Sequence, residues 1–206
     1  MRKHNVDNLD NYFSQENDDS SMVRSVGEFI LEIVKVVIIS LAFIIPVRYF
    51  LIQPFYVKGA SMEPNFYDRD YLIINEIGYR FEAPQRGDAI VFRYPKDSKQ
   101  YFIKRIIGLP GEKIRIKNDL IYVYNEIYPQ GTVLEETYLD ESVKTAGDKE
   151  VLLEKDEYYV LGDNRNFSLD SRNFGPVTRD SFIGRTWIRG WPFNRAEVFK
   201  VLGYNL

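Results

Sequence analysis

The chain of 206 residues has no cysteine and a single histidine, His4, which stands in a polar N-terminal stretch. The first absence excludes disulfides, thiolate metal sites and cysteine catalysis together; it suits an oxidising compartment without requiring one. The second argues against a zinc site and removes the imidazole that a Ser-His-Asp mechanism needs. There is no excess of basic charge either: 27 Lys and Arg stand against 30 Asp and Glu, a formal charge of -3. The two signs are interspersed, which argues against a nucleic-acid partner. Beyond the first fifty residues, no segment sustains a helical period for three to four turns.

What is present is a chain with 45% apolar and 15% aromatic residues, enough to bury a core in one domain, or one domain with an insertion. Residues 1–21 are polar and acidic, cannot offset chain entropy by burial, and are expected to be disordered. They lack the basic start and following small-residue site of a removable signal peptide. Residues 22–50 are read as a membrane anchor with its flanks. The apolar run from Phe29 to Val47, counted with its flanking turns, reaches about 20 residues, enough to cross a bilayer with some tilt. Lys35 can snorkel toward headgroups. A core helix of a soluble domain is the competing reading. Arg2, Lys3 and Arg24 precede the run and Arg48, Lys58 and Arg69 follow it, so charge does not set an orientation.

After Gln53-Pro54 the pattern becomes short runs of branched and aromatic residues between Gly, Pro and Asp. Strands are predicted at Tyr71 to Ile74, Ala89 to Phe92, Tyr101 to Ile107, Lys113 to Ile116, Leu120 to Tyr124 and Tyr158 to Leu161. The fold class is mostly β, two packed or partly closed sheets. Residues 51–117 and 157–206 are assigned to the main β domain and the more polar stretch 118–156 to a small insertion.

Ser61, in Gly59-Ala60-Ser61-Met62-Glu63-Pro64, is a candidate nucleophile, although a serine between Gly and Pro is more often only a turn residue. With the only histidine, His4, in the polar tail and no cysteine, another side chain must take its proton, and Lys104 leads the candidates. Strand alternation in Tyr101 to Ile107 sends Phe102, Lys104 and Ile106 to one face and Ile103, Arg105 and Ile107 to the other. At least one of the two bases is therefore expected to be buried. A lysine among apolar groups loses hydration of its ammonium form, its pKa falls, and a neutral amine becomes available as a base. In the loop 161–176, rich in Gly, Asn, Asp and Ser, Asp170 and Arg172 can pair and Ser168 can orient an amine; local backbone capping is the plain alternative.

These segments together resemble bacterial type I signal peptidase. They comprise an apolar anchor, Ser61-Met62-Glu63-Pro64, Arg86-Gly87-Asp88 with Val91-Phe92, Lys104-Arg105 with Gly108-Leu109-Pro110-Gly111, and Gly162-Asp163-Asn164-Arg165 with Ser168, Asp170, Ser171 and Arg172. The resemblance implies a membrane-bound serine endopeptidase that removes signal peptides from preproteins, with no cofactor and no metal. It implies Ser61 as nucleophile, Lys104 as general base, Ser168 positioning the amine, Asp170 and Arg172 bracing their loop, and the Ser61 N–H as oxyanion donor. Where many relatives carry a serine as second donor this chain has Gly59, which leaves a backbone group or water for that role. Pockets for small side chains are implied at Val57, Met62, Phe66, Phe102 and Ile103. The resemblance further implies the fold shared with self-cleaving Ser-Lys repressors, a cytoplasmic tail, one span, and a β domain on the outer face of the bacterial plasma membrane. Trp187, Trp191 and Phe193 are candidates for the bilayer interface or for core packing. A membrane-tethered β module that binds precursors or partners without catalysis is the alternative from another functional class.

Overall fold

The computed structural model describes residues 26–46, 52–200 and 202–206. The expected disordered tail 1–21, with Arg24 and Arg48, lies outside the described residues. Two units are distinguished, one comprising the N-terminal helix and the other the β domain from Phe50 onward.

Helix α1 (Val26–Pro46) has 21 residues and a mean hydropathy of 2.5, long and apolar enough to cross a hydrocarbon core of about 30 Å. None of it is buried, and apolar groups such as Phe43 and Ile39 stand on its surface. A core helix buries one face, so this helix fits a membrane anchor better than that competing reading.

Among the described residues the β domain has twelve strands: β1 (Ile52–Tyr56), β2 (Tyr71–Asn75), β3 (Ala89–Tyr94), β4 (Asp97–Gly108), β5 (Lys113–Lys117), β6 (Leu120–Tyr124), β7 (Thr132–Val133), β8 (Lys149–Leu152), β9 (Glu157–Leu161), β10 (Val177–Thr178), β11 (Phe182–Trp191) and β12 (Glu197–Val198). The larger sheet runs β1-β2-β11-β3-β4-β9-β10, with β12 on β11; the smaller runs β7-β6-β5-β8. Every strand predicted from the apolar runs is present. The long β11 is not legible in the sequence, because Arg185, Thr186 and Arg189 interrupt its apolar alternation. The burial of Arg189 is offset by ion pairs with Asp70 and Glu197.

In β5 and β6 the alternation is clean. Ile114, Ile116, Ile121 and Val123 face inward and pack on Ile107, Tyr159 and Leu161 of the larger sheet. The two-residue turn between them is made by Asn118 (φ 53°) and Asp119 (φ 64°), the conformation that suits a tight hairpin. The smaller sheet therefore begins at Lys113. A boundary at residue 118 divides a hairpin, and the insertion shares its core with the main sheet.

The larger sheet curls. Three strands separate β1 from β4 in the sheet order, yet Phe55 meets Tyr101 edge to face at 5.6 Å. Tyr101, Phe102, Ile103 and Lys104 pair with β3 on one side, while β9 joins the other side of β4 only from Arg105 onward. Strand β1 pairs with β2 alone. Two open strand edges thus face one another.

Candidate functional site

Ser61 sits in an irregular turn that leaves the sheet after β1 and returns at β2, not at a strand end. Met62 O accepts from the N–H groups of Asn65 and Phe66, which tightens the turn. Buried Asp70 anchors it by accepting from Tyr67 N–H and by ion pairs with Arg189 and Arg195. From the other side, Asn164 donates its N–H to Ser61 O (3.1 Å) and its Nδ2 to Ala60 O (3.0 Å). Both carbonyls flanking the Ser61 N–H are therefore fixed, and that N–H meets no backbone acceptor among the described residues.

Lys104 Nζ lies 2.8 Å from Ser61 Oγ and 2.7 Å from Ile103 O. Lys104 is only 3% exposed. Burial strips water from the ammonium form and lowers its pKa from 10.5 to about 8, although Asp170 and Asp163 pull the other way. A hydroxyl and an amine that is partly neutral near pH 8 are thus within proton-transfer distance.

The neighbouring Arg105 is buried as well, and the strand tolerates this because Arg105 pairs bidentately with Asp163 at 2.9 and 2.6 Å. Asp163 also accepts from Asn65 Nδ2 at 2.9 Å. One buried carboxylate therefore ties together β4, the Ser61 turn and the loop after β9. Such a pair contributes position more than net stability, since desolvation offsets most of its Coulomb gain.

Asp170 and Arg172 pair at 2.9 and 2.8 Å, and Asp170 caps the short helix α2 (Ser171–Phe174) while accepting from Gly162 N–H. Ser168 differs from expectation. Its hydroxyl is buried but has no hydrogen-bond partner among the described residues, while the amine of Lys104 contacts Ser61 and Ile103. Ser168 packs on Gly162, where a Cβ would come within 2.1 Å of Ser168 Oγ and 2.4 Å of Ser61 O. Only glycine admits that approach.

Above the Ser61–Lys104 pair lies a cleft of about 740 Å³ lined by both residues, by Val57, Phe102 and Ile103, and by Phe167 and Leu169. Three of the five expected pocket residues are there. Met62 and Phe66 are not: each is 1% exposed and packs beneath with Leu72, Ile74 and Val91. Their apolar character draws them into the core, and nothing in the sequence distinguishes a pocket wall from a core wall.

The insertion also holds the site, through residues that no motif marks. Arg165, buried in the loop after β9, is gripped by Glu136, Thr145 and Tyr138 of the insertion. The polar stretch 134–148 is therefore bound to the loop that holds Asn164. Glu136 stands in an ordinary acidic run and carries no local mark of this role. Among the described residues, no group of His, Asp and Glu can hold a metal ion.

Comparison with known proteins places these residues in context. The family model described as signal peptidase, peptidase S26, matches residues 30–191. Signal peptidase IB of Staphylococcus aureus is 35% identical over 175 residues, which cover 79% of this chain and 91% of that protein. A probable signal peptidase I-2 of Synechocystis is 37% identical over 174 residues, 82% of this chain and 76% of its own length. The crystal structure of a signal peptidase I from Enterococcus faecalis is 32% identical with a TM-score of 0.42, covering 50% of this chain and 97% of that one.

Proposed function

Because the chain belongs to the signal peptidase S26 family, we propose that it cleaves signal peptides from exported preproteins with Ser61 as nucleophile and Lys104 as general base. The observation that carries this reading is the buried Lys104 amine 2.8 Å from Ser61 Oγ, on the floor of a cleft between two open strand edges.

The preprotein lies extended between β1 and β4 and adds main-chain hydrogen bonds to their free edges. Small side chains before the scissile bond, as in an Ala-x-Ala sequence, fit against Val57, Phe102 and Ile103, while larger ones are excluded. The neutral amine of Lys104 takes the Ser61 proton as Oγ attacks the scissile carbonyl. The Ser61 N–H, with both flanking carbonyls pinned by Asn164, donates to the oxyanion. Gly59 N–H is committed to Asp68 at 2.8 Å and is not the second donor. As the C–N bond breaks, the ammonium returns its proton to the leaving amine and the mature protein departs. The amine then deprotonates a water that hydrolyses the ester, releasing the signal peptide as a carboxylic acid and restoring Ser61. Acylation of Ser61 frees the amine from its hydroxyl partner, and the unpartnered hydroxyl of Ser168 then orients it.

Helix α1 anchors the protein in the bacterial plasma membrane, with its N-terminus in the cytoplasm and the β domain outside. Protein in detergent, given a precursor with Ala-x-Ala before its cleavage site, should release mature product. Ser61→Ala and Lys104→Met should abolish release while keeping the far-ultraviolet circular dichroism of the parent. Product from Lys104→Met would reject the assigned base.

A further inference from the structure

The loop after β9 carries two large apolar side chains that the chemistry above does not use. Around them the loop is polar and inward-turned: Asp163, Arg165 and Asp170 are buried in ion pairs. Phe167 and Leu169 instead point outward, 78% and 48% exposed. Both line the cleft that holds Ser61 and Lys104.

Their place relative to an extended substrate follows from the sheet. A peptide on the open edge of β4 lies beside Tyr101 to Lys104. It cannot continue as a strand beyond Lys104, because β9 occupies the same edge from Arg105, which pairs with Leu161. The loop containing Phe167 and Leu169 begins at the next residue, Gly162. With Val57, Phe102 and Ile103 taking the side chains before the scissile bond, as proposed above, a chain running along the edge meets this loop after that bond. The loop is also held rigid: Phe167 N–H donates to Asn164 O, Asn164 bonds the Ser61 turn, and Arg172 donates to Arg165 O. Two apolar groups fixed in water at the mouth of a cleft are pre-organised to cover an apolar partner.

The geometry points to Phe167 and Leu169 as specificity-determining residues that take an apolar side chain from the first residue after the scissile bond. This rests on the reading of Ser61 as nucleophile, which sets where that bond lies.

The test uses the full chain in detergent and peptides with Ala-x-Ala fixed, followed by Leu, Phe, Gly or Asp. In the parent protein, kcat/KM for Leu and Phe should exceed that for Gly and Asp by about tenfold, the scale expected for one apolar contact. The double variant Phe167→Ser, Leu169→Ser should bring the four peptides to within about twofold of each other. Discrimination between Ala and Val immediately before the bond should stay unchanged. The conservative pair Phe167→Leu, Leu169→Ile should keep the preference. Binding of the same peptides to Ser61→Ala protein should follow the same order without turnover. An undiminished preference in the double serine variant, or equal binding of all four peptides, overturns the inference. Ordered binding by a parent protein that cleaves none of them refutes the reading of Ser61 and leaves the apolar contact standing.

Discussion

The depressed pKa of Lys104 predicts a specific dependence of rate on pH. The amine is 3% exposed and its pKa falls to about 8; only its neutral form can accept the Ser61 proton. With a midpoint near 8, about a tenth of the amine is neutral at pH 7 and about nine tenths at pH 9. The value of kcat/KM on an internally quenched Ala-x-Ala peptide should therefore rise about tenfold over that interval and level off above it. Folding stability carries the same signature. The unfolded lysine holds its proton up to about 10.5 and the folded one only to about 8, so the unfolded state binds more protons in between. Stability accordingly rises with pH from about 8 to 10.5, and below 8 the folded state bears the full cost, about 3 kcal/mol. Lys104→Met removes that cost and loses the contacts with Ser61 and Ile103, for a net gain of about 2 kcal/mol at pH 7. Urea titrations of both proteins at pH 7 and pH 10.5 measure the difference, which should shrink at the higher pH. A rate profile flat from pH 6 to 10, or a Lys104→Met protein less stable than the parent at pH 7, would refute a desolvated, titrating amine.

Three further substitutions probe the frame around the pair. At Gly59 there is open space for a side chain, but φ is +88°, so Gly59→Ser should lower stability by about 1 kcal/mol and should not raise kcat, as thermal unfolding and turnover assays will show. Gly162→Ala places a methyl within 2.4 Å of Ser61 O and 2.1 Å of Ser168 Oγ; it should push the Ser61 turn away and cut kcat by about a hundredfold, with KM changed far less. Glu136→Ala leaves the guanidinium of Arg165, whose side chain is 1% exposed, without its carboxylate; a loss of about 3 kcal/mol is expected, measured by urea unfolding, with recovery in an Arg165→Met, Glu136→Leu double variant.

The sequence by itself determined the elements whose cause is local. The apolar run of α1, the alternation in β5 and β6, and the branched and aromatic runs of β3, β4 and β9 each reflect a period or propensity that neighbouring residues impose. The absence of cysteine and the confinement of the single histidine to the polar N-terminal stretch likewise argue against the imidazole and thiol chemistries from the sequence alone. Tertiary structure alone decided the rest, because it depends on contacts between distant segments. The register that sets Lys104 opposite Ile90, with the turn fixed by Asp70 and Asn164, brings the amine to the hydroxyl. Met62 and Phe66 turned inward where the pattern allowed either side. Strand β11 escaped notice because its arginine is buried through carboxylates that lie elsewhere in the chain. Glu136 acquired its role by closing on Arg165 across 29 residues. An isolated charge shows no preference for a partner until folding desolvates both, and only then does leaving either one unpaired become costly.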